Sequence, residues 1–269
     1  MILEKESAYH QIRVAEEGRM RSLQFGRRAL QGAVYPDDPV AMALPYTRYL
    51  PIGLAFVAPR RVLMIGLGAG SVPRLLRAGF PDVEIDVAEI DPDVVEVARQ
   101  YFFVREDPLY RVRVSDGRTF VKQAKQKYDL VILDAFHADA IPFHLTTAEF
   151  LREVKGAMTD SGAVVSNLAQ WKTEALYGAM LKTFQAVFGR IVLFPVRGRA
   201  NVVLAATADG RGRSKAEVRE AARRMQGRMH PSVDLLEVAE AYMEPPEGLA
   251  DAPVLTDDYA PVDALMGRR

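Results

Sequence analysis

Glycines and acids fall at four places in the first half of the chain where chemistry could be done. GLGAG puts Gly66, Gly68 and Gly70 into one short turn. Glycine lets the backbone bend tightly there and lets a nucleotide approach with no Cβ in the way. Glu89, in AEIDP, follows about 20 residues later, the spacing at which a carboxylate accepts both hydroxyls of a ribose. Asp116, in VSDG, suits the amino group of an adenine. Asp134 ends YDLVILD, a core-strand pattern that stops at a carboxylate and runs on into Phe136, His137, Asp139, Pro142 and His144.

Together the four make one wall of a nucleoside site, and the ensemble is far more specific than any member. A dinucleotide fingerprint would put a further glycine at Ser71, and the turn holds no phosphate-binding Lys or Arg. Adenosine without a pyrophosphate points to S-adenosylmethionine or a relative. Each acid also has a plain structural role open to it. For Glu89 that is a helix N-cap, which Asp91 before Pro92 fills better. For Asp116 it is the cap of a helix over 118–125. Loop histidines such as His137 and His144 are more often hydrogen-bonding surface residues than catalysts, and Trp171 suits packing as well as a substrate wall.

The elements that must position these residues follow from the rhythm of the chain. From Arg60 onward strands and helices alternate: RVLMIG, SVPRLLRAGF, VEIDVAEI, DPDVVEVARQYF, YRVRVSD, GRTFVKQAKQK, YDLVILD, TTAEFLREVKGAM, then AVVSNL after a break at Gly162 and a helix over 172–187. That order gives a parallel sheet covered by helices on both faces. RIVLFPV and ANVVLAA, separated by RGR, form an antiparallel hairpin at one edge. Such a sheet binds ligands beyond the carboxyl ends of its strands, which puts Asp134 on the functional rim. Residues 8–35, turning at Glu17-Gly18, read as a small antiparallel β unit, and Tyr46 to Phe56 as a helix leading into the main domain. The expected division is 1–48 and 49–269.

Composition narrows the field further. The 269 residues carry 35 basic and 35 acidic side chains, so no overall field favours nucleic acid or an anionic membrane. No cysteine is present, which excludes disulfides and thiolate chemistry. The four histidines have no metal-ligand spacing, so no metal is expected. No apolar run approaches the ~20 residues that span a bilayer. MILEKESAYHQ lacks the features of a secretory signal, and the expectation is a soluble, cytoplasmic protein. The Arg-rich stretch 208–228 reads as a solvated helix.

The segments SAYHQIRV, RVLMIGLGAGSVPRLL, AEIDPDVVEVARQYF, VSDGRTF, YDLVILDAF and LTDDYAPVD resemble the spermidine synthase (polyamine aminopropyltransferase) family over nearly the whole chain. IPFHLTTAEF and LTDDYAPVD are closest to the branch also found fused to membrane transporters. The resemblance implies a small N-terminal β domain before a Rossmann-like domain of class I methyltransferase type. Decarboxylated S-adenosylmethionine would lie across the strand ends. By the same resemblance Glu89 holds the ribose and Asp116 the adenine amine. Asp134 takes a proton from the attacking amine, assisted by Tyr46, and His10 stands for an early glutamine of the donor site. His137, Asp139, Trp171 and Asp258 fall to the amine acceptor, and family members are commonly homo-oligomers such as dimers.

Several family acids are replaced. The one inside the glycine loop is Ala69, the one three residues after Asp134 is His137, and the one two residues after Tyr46 is Arg48. A diamine pocket needs anions to offset two ammonium groups, and these changes remove most of them. Ala69 also removes repulsion against an intact methionine carboxylate. Three functions therefore stand: an aminopropyltransferase, an S-adenosylmethionine-dependent methyltransferase on the same scaffold, and a non-catalytic nucleoside-binding homologue.

Overall fold

A computed structural model of the chain describes residues 1–26, 29–135, 142–169, 174–247 and 249–265. It opens with four strands, β1 (Leu3–Glu6), β2 (Gln11–Glu17), β3 (Met20–Phe25) and β4 (Ala29–Val34), paired in that order as an antiparallel sheet. The period of two puts Ile12, Val14, Leu23 and Val34 on one buried face. That face packs on Val94, Val97 and Phe102 of the following domain, and on Ala69. The small sheet therefore shares its apolar core with a helix and the glycine turn that flank the large sheet.

Tyr46 to Phe56, expected as one helix, forms two 3₁₀ turns, Tyr46–Arg48 and Leu50–Ala55. Pro51 supplies no N–H to an α-helical ladder. Gly53 lies so close to Leu130 that a Cβ there would fall 2.7 Å from its methyl, and the tighter helix lays this segment directly on the main sheet.

The main domain then alternates: β5 (Arg61–Ile65), α1 (Ser71–Gly79), β6 (Glu84–Glu89), α2 (Pro92–Tyr101), β7 (Tyr110–Val114), α3 (Gly117–Gln123), β8 (Tyr128–Leu133), α4 (Ala148–Gly156), β9 (Met158–Ala169), α5 (Glu174–Phe188), β10 (Ile191–Pro195), β11 (Asn201–Thr207), α6 (Lys215–Gln226), α7 (Leu235–Glu240) and α8 (Val262–Leu265). The seven strands lie in the order β10-β11-β9-β8-β5-β6-β7. Pairs among β5 to β9 are parallel, whereas β11 runs antiparallel to both β9 and β10. This is the mixed α/β sheet with an antiparallel edge that the alternation implies.

Central strands are buried on both faces, so they read as continuous apolar runs. Met64, Leu130 and Ile132 face a layer containing Leu50, Ile52, Val218 and Leu235. Leu63, Ile65, Val131 and Leu133 face α4 and α5 through Phe150, Leu151, Leu181 and Phe184. β9 begins four residues before the expected break at Gly162: Tyr128 pairs with Met158, and after a register shift Leu130 pairs with Ala163. Gly162 sits inside that irregularity, where a Cβ would be 3.0 Å from the carbonyl oxygen of Thr159. The C-terminal segment is tied back at Asp257, which takes 2.7 Å contacts from Arg118 and Thr147. No helix among the described residues is long and apolar enough to cross a membrane.

Chain order reverses on either side of β5, whose neighbours are β6 and β8. A crevice opens at such a switch point, outside the carboxyl ends of the strands.

Candidate active site

A cavity of about 550 Å³ fills this crevice and is roofed by β4 and the 3₁₀ turn at Tyr46. Gly66, Gly68, Glu89, Asp116, Asp134 and Tyr46 all line it. The sheet explains the convergence, since neighbouring parallel strands end side by side and each acid is the last residue of its strand or lies just after it.

The glycines divide the work. Gly66 has φ +93, and a Cβ on it would lie 2.4 Å from the carbonyl oxygen of Asp134. Its bareness lets β8 end against β5, and Asp134 closes the contact by donating its N–H to Ile65 at 2.9 Å. Gly68, φ +53, faces Gln31. Gly70, expected at the ligand, is not part of the lining. It starts α1 with φ +64, and a Cβ would strike Val104, so its role is the turn itself.

Strand β4 sits on this loop. A Cβ at Gly32 would fall 2.5 Å from that of Ala69. Ser71 donates its hydroxyl to Ala33 at 3.2 Å. Arg74 reaches from α1 to the carbonyls of Ala69, Phe102 and Pro39, and burial lowers its guanidinium pKa to about 10.

Glu89 is buried and uses both carboxylate oxygens on backbone: Oε2 accepts from Leu67 at 2.9 Å and Oε1 from Asp91 at 3.0 Å. Burial raises its pKa, against the pull of those N–H groups. The cap of α2 is made by Asp91, whose side chain accepts from Asp93 at 2.9 Å. Asp116 caps α3 through Thr119 at 2.8 Å, and its other oxygen lies 2.8 Å from Nε2 of His144. Burial alone would raise its pKa, but Thr119 and His144 together hold it below the usual value.

Asp134 differs from both. Burial drives its pKa up to about 7, and hydrogen bonds from Asn167 and Tyr46 only partly oppose this. Asn167 on β9 donates at 3.0 Å, and Asn201 at the start of β11 donates to Asn167 at 3.1 Å. Tyr46 is held well above its ordinary pKa by burial and then by the Asp134 charge, so it remains a donor. A carboxyl group poised near neutrality is suited to take a proton from an incoming nucleophile.

Other expected residues fall elsewhere. His10 stands behind the cavity, its ring stacked on that of Phe25, which does line it, with centroids 4.1 Å apart. Asp258 is exposed in the turn between Thr256 and Tyr259, away from the lining, because its neighbour Asp257 anchors that turn to Arg118. His137, Asp139 and Trp171 lie outside the described residues. Asn167, Asn201, Arg74 and the Gly32–Ala69 contact escaped the sequence reading. Asn167 and Asn201 sit at the ends of apolar strands, where a polar residue at a rim was the available signal. Among the described residues no three His, Cys, Asp or Glu side chains are grouped to hold a metal ion.

Residues 50–197 match the spermine/spermidine synthase domain. A polyamine aminopropyltransferase of Vibrio vulnificus (strain CMCP6) is 38% identical over 205 residues, covering 73% of this chain and 68% of the relative. Human methyltransferase-like protein 13, solved in complex with SAH, superposes with a TM-score of 0.64 at 25% identity over 69% of this chain and 92% of its own. A spermidine synthase solved with the transition state analogue AdoDATO superposes with a TM-score of 0.67 at 18% identity, over 99% and 87%.

Proposed function

The chain belongs to the spermine/spermidine synthase family, and on that premise we propose that it moves an aminopropyl group from decarboxylated S-adenosylmethionine to an amine, with Asp134 as the proton acceptor. The observation that carries this is Asp134 itself. Its carboxyl group has a pKa of about 7, is held by Tyr46 and Asn167, and lies in one cavity with the glycine loop and Glu89. A volume of about 550 Å³ falls within the range of small-molecule sites.

In this mechanism Glu89 accepts the ribose hydroxyls and Asp116 the adenine amine, so the nucleoside end is fixed by two carboxylates. Gly66 and Gly68 shape the turn that lines the cavity between β5 and α1, against which the sulfonium end of the donor would lie. Asp134 draws in the ammonium of the acceptor and takes its proton. The freed lone pair attacks the sulfonium-bound carbon in line. A C–N bond forms, the C–S bond breaks, and neutral methylthioadenosine leaves. The sulfonium is already activated, so the chain's task is alignment and proton removal.

Methyl transfer from intact S-adenosylmethionine is the second reading, and one observation favours it. Where the family resemblance implies an acid for the amine of the decarboxylated donor, Ala69 is packed against Gly32. Likeness to a methyltransferase solved with SAH agrees. The two readings part on product. Calorimetric titration with methylthioadenosine and S-adenosylhomocysteine, then mass analysis after incubation with each donor and a panel of amines, decides between them. Methylthioadenosine release from the decarboxylated donor supports aminopropyl transfer. S-adenosylhomocysteine from the intact donor overturns it.

A further inference from the structure

The cavity continues past Asp134 to a positive charge that the transfer step does not use. Because β11 runs antiparallel to β9, its first residue, Asn201, stands on the same rim as the carboxyl ends of the parallel strands. The turn from β10 into β11 therefore overhangs the site, and Arg199 of that turn lines the cavity beside Asn201. Arg199 is exposed, and no carboxylate among the described residues pairs with it. Its neighbour Arg197, by contrast, lies 3.8 Å from Glu237.

Strand order fixes the direction. β9 and β11 come successively beyond β8, on the side away from β6 and β7. At about 4.8 Å per strand, the start of β11 lies roughly 10 Å from the strand that ends in Asp134. Asn201, Asn167 and Asp134 bridge that span by side-chain hydrogen bonds of 3.1 and 3.0 Å. Glu89 and Asp116 occupy the opposite, nucleoside end. Among the described residues, the charge beyond Asp134 is thus positive where a diamine acceptor would need a second anion.

We propose that the acceptor is an amine that also carries a carboxylate, its nitrogen at Asp134 and its anionic end at Arg199. A guanidinium matches a carboxylate with two parallel N–H bonds and repels an ammonium. The proposal rests on the transfer reading above and changes the class of acceptor, not the step: the amine nitrogen still gains the aminopropyl carbon and loses its proton to Asp134.

Three amines of equal chain length test it: 4-aminobutyrate, n-butylamine and putrescine. The wild-type chain is expected to release methylthioadenosine with 4-aminobutyrate at least tenfold more efficiently, in kcat/KM, than with putrescine. Arg199→Glu should reverse that order. Arg199→Gln should level it, and methylthioadenosine affinity provides the control on the donor end. Calorimetric binding of 4-aminobutyrate to the methylthioadenosine-loaded protein, lost in Arg199→Glu, reads the anion site without turnover. Putrescine used as well as 4-aminobutyrate, or an order unchanged in Arg199→Glu, overturns the anion assignment and leaves the transfer standing. Binding that depends on Arg199 without any methylthioadenosine from any amine overturns the transfer and leaves the anion site. Neither binding nor turnover overturns both.

Discussion

Asp134→Asn should make the protein inactive and, at alkaline pH, more stable. In the folded chain Asp134 keeps its proton up to about pH 7, because burial disfavours the carboxylate. In an unfolded chain it loses that proton near 3.9. Between those values the folded state binds more protons than the unfolded one, so stability falls as pH rises through the window. The full difference corresponds to about 4 kcal/mol at pH 8, and the part of the side chain open to the cavity reduces it toward about 2 kcal/mol. Asparagine has the same shape and does not ionise, so the variant escapes this cost. For a chain of this size the gain is about 4–8 °C in Tm at pH 8, shrinking to almost nothing near pH 4. Thermal melts of both proteins by circular dichroism at pH 4.5, 6 and 8 measure the gap, and methylthioadenosine release measures turnover. A proton acceptor contributes about 10²–10⁴-fold, so activity should fall at least a hundredfold. A gap in Tm that does not widen with pH refutes the buried-carboxylate argument. Retained turnover refutes the catalytic one.

Asn167→Ala removes one of the two donors that favour the Asp134 carboxylate. A charged hydrogen bond of about 1.5–3 kcal/mol is lost, so the acidic limb of the kcat/KM profile should move up by about one pH unit or more. Gly66→Ala should push Asp134 out of line, since its Cβ would meet the Asp134 carbonyl at 2.4 Å. We expect kcat to fall about a hundredfold and stability by about 1–3 kcal/mol, read from steady-state rates and urea melts. Arg118→Ala frees Asp257 and Glu153 together. The expected cost is about 1–2 kcal/mol, with faster proteolytic cleavage near the Asp257 turn on a gel time course.

The repeating strand–helix rhythm from Arg60 was enough to foresee the sheet, because buried parallel strands leave continuous apolar runs that little else explains. Gly66, Glu89, Asp116 and Asp134 were legible for the same reason: each marks a strand end, and strand ends in such a sheet are neighbours. Contacts made across the fold left no local trace. Asn167 reads as the tail of an apolar strand until β11 folds back and Asn201 meets it. Gly70 shared the pattern of Gly66 and Gly68, yet Val104 occupies the place where its side chain would be, and it is not part of the cavity lining. His10 matched a motif by position, but the intervening Phe25 ring stands between it and the site. The 3₁₀ form of Tyr46–Arg48 and Leu50–Ala55 depended on how closely the sheet approaches Gly53, a distance no sequence pattern encodes.

The meeting of Gly32 and Ala69 has a consequence for how such proteins diverge. Gly32 is not free to vary alone: any side chain there wedges the roof from the floor and drags the donor loop with it. A homologue with a side chain at the Gly32 position must therefore carry a compensating retreat of the loop, and the two sites should change in concert across descendants. Grafting a side chain onto Gly32 by itself would test the seating of β4 on the loop before it tested any preference for a donor.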